Sequence, residues 1–180
     1  MPFSSRKILE TTRLVLRELT PDDSQDFFLL NSDPEVMRYT GDTPFDDVSE
    51  AHKMLSNYDQ YRKYGVGRWA VIGKENGRFL GFCGLKYSAD VDEYDIGFRF
   101  FREQWNKGYA TEAAKACVDY AFNNINLNMI VGRAMKANTA SIKVLSKIGL
   151  SYWKDDACGM ADGVIYKIER VPGPAEEISC

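Results

Sequence analysis

The chain has little of what metal centres, disulfide scaffolds and membrane spans are made from. It has one histidine, His52, and four scattered cysteines, Cys83, Cys117, Cys158 and Cys180, in 180 residues. No two cysteines form a C-x-x-C pair. That argues against a zinc site and a disulfide framework, and for reduced thiols in a cytoplasmic protein. No bound metal is expected. No apolar run approaches the roughly 20 residues that span a bilayer, and Met1 to Glu10 has no apolar signal-peptide core. The net charge of −3 gives no overall attraction to nucleic acid or to an anionic membrane. Internal repeats and low-complexity linkers are absent. There is no G-x-x-x-x-G-K-[ST], which excludes a Walker A loop, and no G-x-G-x-x-G near the first strand, which leaves a dinucleotide fold without support. His52 has no companions for a catalytic triad.

What is present is an ordinary globular composition, 44% apolar and 27% charged, on a chain long enough to bury a core without staples. One domain is expected over residues 8–171, with a frayed tail over 172–180. Leu14-Val15-Leu16-Arg17 alternates and reads as a first strand within 13–19. Thr20-Pro21-Asp22-Asp23 carries a helix-start pattern, and Asp33-Pro34-Glu35 repeats it for a short helix through Met37. The spacing of Val48, Ala51, Met54, Leu55, Tyr58 and Tyr61 predicts one long helix over 45–64. Strands over 69–73 and 78–86 flank Glu75-Asn76-Gly77, a strong hairpin turn. A strand over 93–100 sends Tyr94, Ile96, Phe98 and Phe100 one way and Asp95, Gly97 and Arg99 the other. An amphipathic helix from Ala110 to Phe122, a strand over 129–134 and a helix capped by Asn138 and stopped by Gly149 come next. Strands over 150–154 and 163–170 close the chain. About seven strands and their helices make an α/β or α+β domain with a mixed, mainly antiparallel sheet.

The most telling segment is Trp105-Asn106-Lys107-Gly108-Tyr109-Ala110-Thr111-Glu112-Ala113, set between a strand and a helix. A glycine-containing loop that opens a helix aims free N–H groups and the positive end of the helix dipole at one spot, which suits a phosphate. Gly108 permits close approach, and Asn106 is the residue next most tolerant of a positive φ after glycine.

Three segments together resemble the GNAT superfamily of N-acetyltransferases, in its RimJ/RimL-like branch. They are Asp95-Ile96-Gly97-Phe98 through Trp105–Ala113, Asn138-Thr139-Ala140-Ser141 through Leu150, and Thr12-Arg13-Leu14-Val15-Leu16-Arg17 with Ser32-Asp33-Pro34-Glu35-Val36-Met37. The resemblance spans Leu14 to about Glu169. It implies a GNAT fold and acetyl-CoA as co-substrate. Trp105, Asn106, Lys107, Gly108, Tyr109, Ala110 and Thr111 would cradle the coenzyme's diphosphate. Phe98, Arg99, Phe100 and Asn138 would hold its pantetheine arm, with a backbone N–H polarising the thioester carbonyl. The acceptor it implies is a primary amine, on a protein N-terminus or a small molecule. The oligomeric state, a homodimer included, stays open.

Acetyl transfer needs a neutral amine and a proton for the leaving thiolate. A free ammonium titrates near 8 at an N-terminus and about 10.4 on lysine, so a carboxylate or a water chain must take its proton. Asp95 is the first candidate, and Glu93 projects to the same face. Both can equally be solvated acids or a cation site. The tyrosine that many GNAT enzymes use to protonate the thiolate is replaced here by Leu145. The resemblance points to Ser141 instead, against the reading of a plain helix serine. Asp90, Asp92, Glu93 and Asp95 form an acidic cluster that would attract an amine, against the reading of a solvated loop. Among Tyr39, Tyr58, Tyr61, Tyr64 and Trp69, most are expected in the core and a minority beside the acceptor. Cys83 and Cys117 are expected to pack rather than react. The rival to an enzyme is a catalytically silent acyl-CoA-binding module, supported by the missing tyrosine.

Overall fold

The computed structural model describes residues 5–156 and 162–171. Cys158, Cys180 and the tail from Pro172 lie outside the described residues. Eight strands form one sheet in the order β1-β2-β3-β4-β5-β6-β8-β7. They are β1 (Lys7–Glu10), β2 (Leu14–Glu18), β3 (Arg68–Gly73), β4 (Phe79–Ser88), β5 (Glu93–Phe100), β6 (Met129–Met135), β7 (Ser151–Asp156) and β8 (Gly163–Glu169). All neighbours pair antiparallel except β5 and β6. Those two run parallel, and their register holds at a single pair, Asp95 with Val131. Past that point the sheet forks.

Strand alternation explains how the sheet separates two cores. Leu14, Leu16, Trp69, Val71, Leu85, Ile96 and Phe100 project to one face. There they meet helix α5 (Tyr109–Asn123), whose buried side is Ala113, Ala114, Cys117, Val118 and Ala121. These side chains are small, so α5 lies close on the sheet. The Cys83 and Cys117 sulfurs sit 3.8 Å apart in this core, where burial pushes the Cys117 thiol well above its ordinary pKa. Ala70 and Phe82 project to the other face, against Phe27 and Leu30 of α1 (Ser24–Leu30), Val36 of α2 (Pro34–Met37), and Ala51 and Leu55 of α3 (Val48–Ser56). Arg68, Asp95 and Arg99 alternate onto this second face as well.

Two expectations need correction. The long helix over 45–64 is two helices, α3 and α4 (Gln60–Tyr64). Asn57 ends the first by donating its side-chain amide back to the Lys53 carbonyl at 2.9 Å. Asn57 and Asp59, both poor helix formers that compete for backbone groups, flank the break. The released Tyr58 hydroxyl then accepts from the Arg68 N–H at 2.8 Å. The second correction is β1, which brings the strand count to eight. It holds only Ile8 and Leu9 between charged residues, too short for alternation to register.

The other signals appear where the local chemistry puts them. Asp33 and Asn138 cap α2 and α6 (Thr139–Lys147), accepting from Glu35 and Ser141 N–H groups. Gly77 turns the β3–β4 hairpin at φ 68°, and Gly149 follows α6 at φ 100°. Thr20 precedes a 3₁₀ turn, Pro21–Asp23, that leads into α1.

Candidate active site

A cleft of about 1700 Å³ opens at the fork. The end of β5, the loop into α5, the start of α6 and the connection between α2 and α3 line it. Thirteen of the fourteen residues singled out above share this lining: Glu93, Asp95, Phe98, Arg99, Phe100, Trp105, Asn106, Gly108, Tyr109, Ala110, Thr111, Asn138 and Ser141. The fourteenth, Lys107, lies outside it, and its carbonyl faces Arg13.

The loop leaves a run of backbone N–H groups unused. Trp105 is pinned by its indole N–H, which donates to the Phe100 carbonyl at 2.9 Å. Asn106 then takes φ 60° and Gly108 φ 80°, the left-handed values that Asn and Gly accept at least cost. Among the described residues, no hydrogen bond is donated by the backbone N–H of Asn106, Lys107, Gly108, Tyr109, Ala110 or Thr111. The first chain N–H used in α5 is that of Glu112, which reaches the Gly108 carbonyl at 3.0 Å. Unsatisfied N–H groups at the positive end of a 15-residue helix are suited to receive an anion.

Behind the loop stands a brace. Arg13 Nη1 donates to the Lys107 carbonyl at 2.9 Å, and its Nε pairs with Glu112 at 2.7 Å. Its guanidinium lies over the Tyr109 ring, 4.4 Å from the centroid. Glu112 also accepts from the Thr11 hydroxyl at 2.6 Å and from the Arg13 N–H at 3.0 Å. Burial alone would raise the pKa of Glu112. The donors from Thr11 and Arg13 outweigh it and hold the carboxyl below its ordinary value.

On the opposite wall, the acids carry arginine partners that sequence reasoning missed. Arg68 is partly buried and donates to Asp95 at 2.5 Å and to the Gly84 and Asp95 carbonyls. Burial works against its charge, but Asp95 outweighs that and raises its pKa. Gly97 is a glycine for this reason: a Cβ there would lie 2.4 Å from the Arg68 guanidinium carbon. Arg133 bonds to Glu93 and stands 3.6 Å from Asp95 and 3.9 Å from Asp156. Three carboxylates thus face two guanidiniums. The signal available was an arginine opening an otherwise apolar strand, Arg68-Trp69-Ala70-Val71-Ile72, in which Trp69, Ala70 and Val71 are all buried.

Arg99 ties the α2–α3 connection to β5. It bonds to the Asn31 side chain, reaches Asp42 at 2.8 Å and lies 5.3 Å from the Phe82 ring centroid. Of the aromatics, Tyr39 and Tyr58 line the cleft, while Trp69 is buried against Tyr120 and Tyr64 packs on Tyr87. Asp90 lines the cleft, and Asp92 accepts from the Tyr87 hydroxyl at 2.6 Å. In α6, Asn138 Oδ1 caps the Ser141 N–H at 3.2 Å, which leaves the Asn138 amide group to donate. Leu145 is 1% exposed and packs where a Cβ on Gly132 would come within 2.5 Å of it.

A forked mixed sheet, with an open helix N-terminus on one side of the fork and a capped helix on the other, is an arrangement suited to an acyltransferase. The chain belongs to the GNAT family: the model of the acetyltransferase (GNAT) domain matches residues 13–151. The chain is 36% identical over 149 residues to a Bacillus licheniformis protein named uncharacterized N-acetyltransferase p20, covering 82% of this chain and 83% of that one. It is 31% identical to the FsC-acetyl coenzyme A-N(2)-transacetylase of Aspergillus fumigatus, covering 84% of this chain and 68% of the relative. The crystal structure of an acetyltransferase from Agrobacterium tumefaciens superposes with a TM-score of 0.79 at 23% identity, covering 94% of this chain and 96% of that chain. The fold is therefore the GNAT fold, and the chain is an acyltransferase. Among the described residues no helix is long and apolar enough to cross a membrane.

Proposed function

We propose that this enzyme moves an acetyl group from acetyl-CoA to a primary amine, on a protein N-terminus or a small molecule, by direct attack in a ternary complex. The observation that carries the proposal is the row of unused N–H groups from Asn106 to Thr111, beside the open edge of β5. A diphosphate needs several such donors in a small volume, and a pantetheine arm needs strand-edge partners. Both are within one cleft. The three motif segments support a place in the RimJ/RimL-like branch, with a single domain over 8–171, and reduced thiols would fit a cytoplasmic setting. The name of the A. fumigatus relative, a transacetylase acting with acetyl coenzyme A, agrees with this co-substrate.

The co-substrate supplies an activated thioester. This chain's residues supply position and charge. Backbone N–H groups of Asn106, Gly108, Tyr109, Ala110 and Thr111 hold the diphosphate, with the Thr111 hydroxyl beside them. Phe98, Arg99 and Phe100 hold the arm by backbone, where an N–H stabilises charge developing on the thioester oxygen. The Asn138 amide donates to the arm while its oxygen caps α6. Glu93 and Asp95, with Asp156, draw a cationic amine toward the fork and take its proton, directly or through water. Their arginine partners fix the carboxylates in position. Ser141 passes a proton to the departing sulfur, and the second proton that the nitrogen sheds on becoming an amide replaces it, directly or through water.

The test is thiol release from acetyl-CoA over a panel of N-terminal peptides, polyamines and amino sugars. Acceptor-dependent release with an acetylated amine as product is expected. Tight acetyl-CoA binding without turnover on any acceptor would instead favour a silent binding module.

A further inference from the structure

Thr11 and Arg13, between β1 and β2, have no part in the chemistry above, yet their side chains reach across about a hundred residues to the diphosphate loop and the helix it opens. We propose that Arg13 is a positioning residue for co-substrate binding: it fixes the Lys107–Gly108 peptide so that the Gly108 N–H points into the cleft.

In a trans peptide the C=O and N–H point in opposite directions. Arg13 holds the Lys107 carbonyl at 2.9 Å, so the N–H of the same peptide is turned away from Arg13. Gly108 lines the cleft and Lys107 does not, as that orientation requires. The peptide needs holding, since it leads into the left-handed Gly108, one residue after the left-handed Asn106, and glycine gives little resistance to a flip. Arg13 is itself held by Glu112, by the Tyr109 ring and through Thr11. A second effect has the same source. Glu112 places a negative charge in the first turn of α5, next to an anion site, and the Arg13 guanidinium paired to it offsets that charge.

The inference rests on the reading of residues 106–111 as a diphosphate site, and the experiment separates the two. Coenzyme A and pantetheine, which has the arm but no diphosphate, are titrated into the wild type, Arg13→Gln and Arg13→Lys, with melting temperatures recorded without ligand. Arg13→Gln should weaken coenzyme A binding by about tenfold, the loss of one well-made charge-assisted contact, and leave pantetheine binding unchanged. Arg13→Lys keeps the charge but cannot serve the Lys107 carbonyl and Glu112 together, so an intermediate loss of about threefold is expected. If Arg13→Gln fails to fold, Arg13→Lys carries the test on the same two ligands. Equal coenzyme A binding by the wild type and the folded variants would overturn the inference, and so would an equal loss for both ligands. A wild type that binds no coenzyme A would overturn the diphosphate reading itself.

Discussion

Gly108→Glu tests the site where the geometry is sharpest. A Cβ built at Gly108 meets only Arg13 Nη2, at 3.4 Å, an ordinary contact, so the fold has room for a side chain. The backbone cost is that of a non-glycine residue at φ 80°, about 1–2 kcal/mol. For a chain of this size that is a melting-temperature loss of about 2–8 °C. The charge does the larger damage. A carboxylate about 5 Å from a phosphate, at an effective dielectric of about 20, is repelled by about 3 kcal/mol per charge pair, a loss in affinity of about 100-fold or more. It also competes with Glu112 for Arg13 and so loosens the Lys107 carbonyl. Gly108→Ala separates the effects, keeping the strain without the charge, and should hold coenzyme A affinity within about threefold. Calorimetric titration with coenzyme A, alongside thermal melts, reads both. A Gly108→Glu protein that melts normally and binds coenzyme A like the wild type would remove the loop from the reasoning.

Ser141→Ala should lower the rate constant for thiol release while leaving the coenzyme A dissociation constant unchanged, since the Asn138 cap uses the Ser141 N–H and not its hydroxyl; an unaffected rate eliminates Ser141 as the acid. Tyr61→Phe should destabilise the protein by about 1–3 kcal/mol in urea unfolding, because the buried Tyr61 hydroxyl accepts from the Leu19 N–H at 2.9 Å and donates to the Arg68 carbonyl. The folded Glu112 carboxyl titrates below its ordinary value of 4.5. Its contribution to stability is therefore complete above that value and fades as pH falls through the lower, folded one. Thermal melts of the wild type and Glu112→Gln from neutral to acid pH should differ most at neutrality and converge on the acid side, and a constant gap would refute the assignment.

Features set by neighbouring residues were legible in the sequence. The alternation of β5, the Asn138 cap, the Gly149 stop and the left-handed tolerance of Asn106 are all readable within a few positions, and the structure has them. The same local information carried the loop. Features that depend on distant partners were not legible. Asp95 and Glu93 stood out as acids, but their partners Arg68 and Arg133 come from other strands, 27 and 40 positions away. Arg13 stood in a motif without a role because Glu112 and Lys107 are far along the chain. The break at Asn57 was hidden by an apolar spacing that runs through it: Tyr58 keeps the helical period while its hydroxyl serves the backbone of β3.

The fork between β5 and β6 makes the sheet an unfinished object. β1 to β5 form one hydrogen-bonded plate and β6 to β8 another, joined along their shared edge by a single registered pair. Peptide groups on the open edges need partners, and in the free protein only water is at hand. A ligand arm with amides of its own can act there as a short, removable strand. If the co-substrate arm docks there as proposed, it is both fuel and keystone, and each catalytic cycle sets and withdraws a piece of the sheet. Loading should lock the two plates together, and protection of the β5 and β6 amides from exchange is where that would be seen.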